Sequence, residues 1–166
     1  RLPPLVDGVD AGRVTVDAGM GTTLADLAID GMAVVDEVAG GVDERLVVLV
    51  HAGHNDAQRS GGEPRVPVER FRAAAARLDR TLADHAAVDD RAFVGLVPLL
   101  PGHDVPFADD QPERSLAYDD ALAETVETHL AVARPVDDWH ERIADGVHPN
   151  EAGHAAIAER VAAWLD

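Results

Sequence analysis

A parallel α/β sheet with helices on both faces is the fold this sequence predicts, and three observations predict it. Strand-like and helix-like segments alternate four times along 166 residues. Two of the strand-like segments are continuous apolar runs, the pattern of strands covered on both faces. The length suits one domain with one core, residues 1–166, with no repeat or linker to divide it. In sheets of this kind, ligands bind at the carboxyl ends of the strands.

Each element has its own signal. "RVTVDAGMG" (Arg13 to Gly21) opens as a short β-branched strand and breaks at two glycines. "TTLADLAIDGMAVVDEVAG" reads as a helix, with Leu24, Leu27, Ala28, Met32 and Val35 at helical spacing and Gly40-Gly41 as its stop. "RLVVLVHAG" (Arg45 to Gly53) is a buried strand, and "GHNDAQRSGGEPRVP" is the loop after it. Val68 to Ala87 is a helix with Phe71, Ala75, Leu78 and Leu82 on one stripe. "RAFVGLVPLLP" (Arg91 to Pro101) is a second buried strand, followed by the loop "PGHDVPFADDQPERS". "SLAYDDALAETVETHLA" is a helix, with Ser115 as its N-cap. A short last strand is expected around Pro135 to Asp137. The closing helix carries Ile157, Val161, Trp164 and Leu165 on its apolar stripe, and Asn150 caps it.

Composition narrows the function. Acidic residues number 31 against 14 basic ones, for a formal charge of −17, and every basic residue is arginine. Such a surface repels nucleic acid and anionic membranes, so neither is an expected partner. The acidic, lysine-free, Ala- and Val-rich composition looks like that of proteins of salt-loving microbes, where salt screens the self-repulsion; the plainer alternative is an ordinary acidic protein from a GC-rich genome. The absence of cysteine excludes disulfides and thiolate metal sites. No apolar run approaches the ~20 residues of a membrane helix. The opening "RLPPLVDGVD" has no basic start and apolar stretch, so a cytoplasmic location is expected.

Three polar clusters follow strands: "DAGMGTT" (Asp17 to Thr23), "GHND" (Gly53 to Asp56) and "DGVH" (Asp145 to His148). With parallel strands they meet on one rim. The three-residue spacing of Asp145 and His148 lets a carboxylate fix an imidazole as general base. The plainer alternative is a turn-capping Asp beside an unrelated His. The Asn55 amide suits a developing oxyanion, or else a bond to its own loop backbone. Gly19 and Gly21 allow close backbone approach, or simply a tight turn. A metal site from His51, His54, His148 and Asp145 is a further alternative, disfavoured because His51 and His54 flank a strand end and need not converge.

In this order the clusters resemble the SGNH (GDSL-type) hydrolase family. "VTVDAGMGTTLADL" resembles its glycine block, one residue short and with Asp17 in place of Asn. "VVLVHAGHND" matches its Gly-x-Asn-Asp block, and "DGVHPNEAGHAAIAERV" its Asp-x-x-His-Pro-Asn block. The resemblance implies a flavodoxin-like three-layer α/β/α fold and ester hydrolysis through an acyl-serine. It implies a small-molecule ester substrate, with no cofactor and no metal. By motif, His148 is the base and Asp145 its orienter; Asn55 and the Gly21 N–H supply two oxyanion donors, with Gly19 a second candidate, and Asp56 braces the loop. His51 and His54 become bystanders.

The family's Gly-Asp-Ser block, which carries the nucleophile, has no counterpart. The chain holds only Ser60 and Ser115. "RLPPLVDGVDAG" reads as the tail of the helix that follows that block, so roughly 25 to 35 residues are expected ahead of it. The first, central strand is then missing. The "RVTV" and "RLVVLV" strands should leave a gap of about 10 Å or close into an altered sheet. The fragment alone should be nearly inactive. A non-catalytic relative that keeps the pocket is the alternative. Oligomeric state is open.

Overall fold

The computed structural model describes residues 14–41, 46–60, 62–101 and 111–166. Its elements are α1 (Leu24–Ala39), β1 (Leu46–Val50), a single turn α2 (His54–Ala57), the two-residue strands β2 (Arg59–Ser60) and β3 (Glu63–Pro64), α3 (Val68–Ala83), β4 (Val88–Val94), α4 (Gln111–Ala123), β5 (His129–Leu130), a 3-10 turn (Val136–His140) and α5 (Glu151–Leu165).

The sheet is parallel, in the order β1-β4-β5. Val50 pairs with Phe93, and Phe93 with His129. β2 and β3 form a separate antiparallel hairpin. Side chains alternate across β4 as a strand requires. Phe93 joins the core built by α1, α3 and α4, with Leu24, Phe71, Leu78, Leu82 and Leu122. Ala92 and Val94 point the other way, onto Ile157, Val161 and Trp164 of α5. That alternation produces the three layers expected from the sequence. The stripe of α3 is buried at Phe71, Ala75, Leu78 and Leu82 as predicted. Thr23 closes α1 with a reciprocal capping box to Asp26, and Asn150 caps α5 by accepting the Gly153 N–H.

Four expectations are corrected. Val14–Val16 forms no strand: Val14 and Val16 are exposed and pair with nothing among the described residues. β-branched residues favour extended backbone, but a strand exists only where its backbone is brought beside another to pair. The sheet therefore neither gaps nor closes around "RVTV"; β1 itself is an edge among the described residues, and its Leu49 is 42% exposed. The last strand is His129–Leu130, inside the stretch read as the end of a helix, because α4 stops at Ala123. Pro135 to Asp137 instead enters a 3-10 turn that buries Trp139. Ser115 is not an N-cap: α4 begins at Gln111, and Ser115 is buried inside it. "RLPPLVDGVDAG", Arg45 and most of the "PGHDVPFADD" loop lie outside the described residues.

Candidate active site

The loops after β1 and β4 and the turn before α5 meet on one side of the sheet. Leu100 N–H donates to the Gly146 carbonyl at 2.8 Å, pinning the "DGVH" turn to the segment that follows β4. Ala144 N–H donates to the His148 carbonyl at 2.9 Å, and Ile143 bridges Pro149. Gly146 takes φ +89°, a left-handed turn that favours glycine.

That turn brings Asp145 and His148 together. Asp145 Oδ1 accepts the backbone N–H groups of Val147 (3.0 Å) and His148 (2.8 Å). Its Oδ2 lies 2.7 Å from His148 Nδ1. These donors, with the His148 backbone first, hold the Asp145 carboxyl down at about 2. An ionised carboxylate only accepts, so Nδ1 carries a proton, and in a neutral ring Nε2 is then the acceptor. The pair is open to solvent, with side chains 76% (His148) and 52% (Asp145) exposed.

The second half joins the "GHND" turn to the glycine block. Asn55 Nδ2 donates to the Thr22 carbonyl at 2.9 Å, and the second N–H of that amide has no partner among the described residues. Asp56, fully buried, accepts the Leu24 N–H at 3.0 Å. Burial pushes the Asp56 carboxyl up, against the pull of that bond. Gly21 adopts φ +74°, and Thr22 N–H reaches back to the Gly19 carbonyl at 3.4 Å. Gly53 serves the core rather than a ligand. At φ +118°, a Cβ there would stand 2.9 Å from Phe71 Cε2 and 3.0 Å from Leu96 Cδ1.

His54 lies between the two halves. Its ring stacks edge-on against His51 at 5.2 Å. Burial first, then the nearby His51 and His148, push its imidazole down to about 3, while a bond to the Val97 backbone opposes them. His51 is exposed. Among the described residues, no three His, Asp or Glu side chains are set to hold a metal ion.

Ser115 is not mounted as a nucleophile. Ser115 Oγ is buried; it accepts the Leu99 N–H at 2.9 Å and donates to the Pro112 carbonyl at 3.0 Å. Ser60 sits in the two-residue strand β2, paired with Glu63.

Two residues carry more than their sequence signal. Gly153, in the "NEAGH" segment, packs where a Cβ would stand 2.4 Å from the Arg142 carbonyl and 2.9 Å from Pro149, so it seats α5 against the "DGVH" turn. Arg65 places its guanidinium against Gly21, with Nη1 3.7 Å from the position of a Cβ there. An arginine in a proline-flanked loop offers no periodicity or motif that would single it out.

Solved structures share this fold. LAE5, an alpha/beta hydrolase from the metagenome of Lake Arreo, is 23% identical with a TM-score of 0.65, over 86% of this chain and 67% of that one. Axe2, an acetylxylan esterase from Geobacillus stearothermophilus, is 18% identical with a TM-score of 0.63, over 85% of this chain and 66% of that one. A Lactobacillus plantarum protein is 20% identical with a TM-score of 0.61, over 88% of this chain and 77% of that one. No curated protein matches the chain. The GDSL-like lipase/acylhydrolase family model matches residues 11–161, and the chain belongs to that family.

Proposed function

We propose that residues 1–166 are one domain of a serine-type ester hydrolase, and that they supply its base and part of its oxyanion hole. The observation that carries this is the Asp145–His148 pair, in which one carboxylate holds both the backbone and the ring of the histidine. The acetylxylan esterase among the similar structures supports an ester as the bond attacked.

In this reading His148 Nε2 takes the proton of a serine hydroxyl as the serine oxygen attacks the ester carbonyl. Asp145 stays ionised and stabilises the imidazolium. The free N–H of Asn55 and the Gly21 N–H, with Gly19 the other candidate, donate to the oxyanion. The tetrahedral adduct collapses, and His148 passes its proton to the leaving alcohol. Water, deprotonated by His148, then releases the acid and restores the serine. Asp56 takes no proton; it fixes the turn that carries Asn55.

The serine belongs to a Gly-Asp-Ser segment that would precede the glycine block. The edge of β1, unpaired among the described residues, supports a further strand beside it. High salt is the natural working condition in this reading, given 31 acids and no lysine.

The second reading is a non-catalytic relative that binds esters or glycans. The burial of Ser115, whose hydroxyl is spent inside the fold, favours it. The upstream coding sequence separates the two. An in-frame Gly-Asp-Ser supports the hydrolase, and its absence supports the binding module.

A further inference from the structure

We propose that Arg65 is a specificity-determining residue of this site and that it selects esters bearing a carboxylate. The inference rests on the hydrolase reading of Asn55 and Gly21.

Both terminal nitrogens of the guanidinium face the glycine block. Nη1 and Nη2 lie 3.7 and 4.0 Å from where a Gly21 side chain would begin. The next residue, Thr22, offers the carbonyl that holds the Asn55 amide. Arg65 therefore borders the glycine block, which holds one candidate oxyanion donor and, through Thr22, anchors the other. Its backbone is fixed. Arg65 N–H donates to the Gln58 carbonyl at 2.7 Å, and Val66 N–H to the Asp56 carbonyl at 3.1 Å. The Tyr118 hydroxyl bonds the Val66 carbonyl. The side chain itself is exposed.

Four other arginines of this acidic chain are held by carboxylates, and Arg70, Arg77, Arg80 and Arg160, which have none among the described residues, lie on the helices α3 and α5. Arg72 pairs with Glu124, Arg91 with Asp79 and Glu127, Arg134 with Asp120, and Arg142 with Asp138. Among the described residues, Arg65 has no carboxylate at ion-pair distance. Asp26 and Asp56 feel its charge without reaching it, and their Oδ2 atoms accept the backbone N–H groups of Thr23 and Leu24 respectively. A guanidinium held open beside such a site presents a planar fork that fits a carboxylate through two parallel bonds. The carboxylate can belong to the acyl or to the alcohol part of the ester.

Binding to the 166-residue chain tests this without requiring turnover. Methyl hydrogen succinate carries the carboxylate on the acyl side, and acetoxyacetate carries it on the alcohol side. Each is titrated against its neutral methyl ester at one fixed salt concentration, with the amide signals of Gly21, Thr22 and the Asn55 side chain as readout. At least one anionic ester should bind about tenfold more tightly than its neutral counterpart. Arg65→Gln should abolish that preference, and Arg65→Lys should keep part of it. Equal binding of charged and neutral esters, a preference that survives in Arg65→Gln, or no binding of any of the four overturns the assignment. Absence of turnover in the longer protein overturns the hydrolase reading instead and leaves the binding preference standing.

Discussion

Asp56 Oδ2 accepts the backbone N–H of Leu24 at 3.0 Å across 32 residues of sequence, and both residues are fully buried. The bond fastens the turn that carries Asn55 to the first residue of α1, immediately after the glycine block. Removing the acceptor strands a buried N–H in the first turn of a helix. Asp56→Ala should therefore lower stability by about 1–3 kcal/mol. Asp56→Asn keeps an acceptor and should cost less. Urea unfolding at fixed salt measures both.

Gly53→Ala should be more severe than an ordinary surface change. The backbone sits at φ +118°, and the added carbon meets Phe71 and Leu96 at 2.9–3.0 Å. Strain and overpacking together should cost about 2–4 kcal/mol. The same unfolding measurement checks this, and a Phe71→Leu background should recover part of the loss.

His54 makes stability depend on pH in a defined direction. Its folded-state value of about 3 lies below the ordinary 6.5. The unfolded chain therefore binds more protons in that window, and stability falls as pH drops from 6.5 toward 3. The slope from this residue cannot exceed about 1.4 kcal/mol per pH unit. Stability curves of the native chain and of His54→Gln should diverge below the ordinary histidine value, with the variant flatter.

Asp145 behaves in the opposite sense from Asp56. Its carboxyl is held at about 2, below the ordinary 3.8, so its contribution is present above 3.8 and is lost as pH falls toward 2. The side chain is 52% exposed, so solvent screening keeps that contribution below about 1 kcal/mol. Asp145→Asn should leave stability within about 0.5 kcal/mol. It should still shift the His148 tautomer away from Nδ1–H, read by imidazole nitrogen shifts. In an active full-length protein it should lower kcat by about 10²- to 10⁴-fold.

Much of this was legible in the sequence where local chemistry decides. The helical stripe of α3 and the Asn150 cap depend on neighbours within a turn or two. Asp145 and His148 meet because three residues in a turn suffice. Pairing partners were not legible. "RVTV" has strand composition but pairs with nothing among the described residues, although the β1 edge is open, and His129–Leu130 joins β4 although its surroundings read as helix. Ser115 looked like a cap because nothing in the sequence marks Gln111 as the start of α4. Arg65 reaches Gly21 only through the hairpin β2-β3, a long-range placement without a local pattern.

The most direct test is the hydrolysis of a short activated ester in high salt by the protein extended upstream, where the hydrolase reading expects a Gly-Asp-Ser segment, measured beside the Ser→Ala variant of that segment. The serine-hydrolase reading predicts turnover that falls by about 10³-fold or more in the alanine variant. Turnover no higher than that of the alanine variant would contradict it.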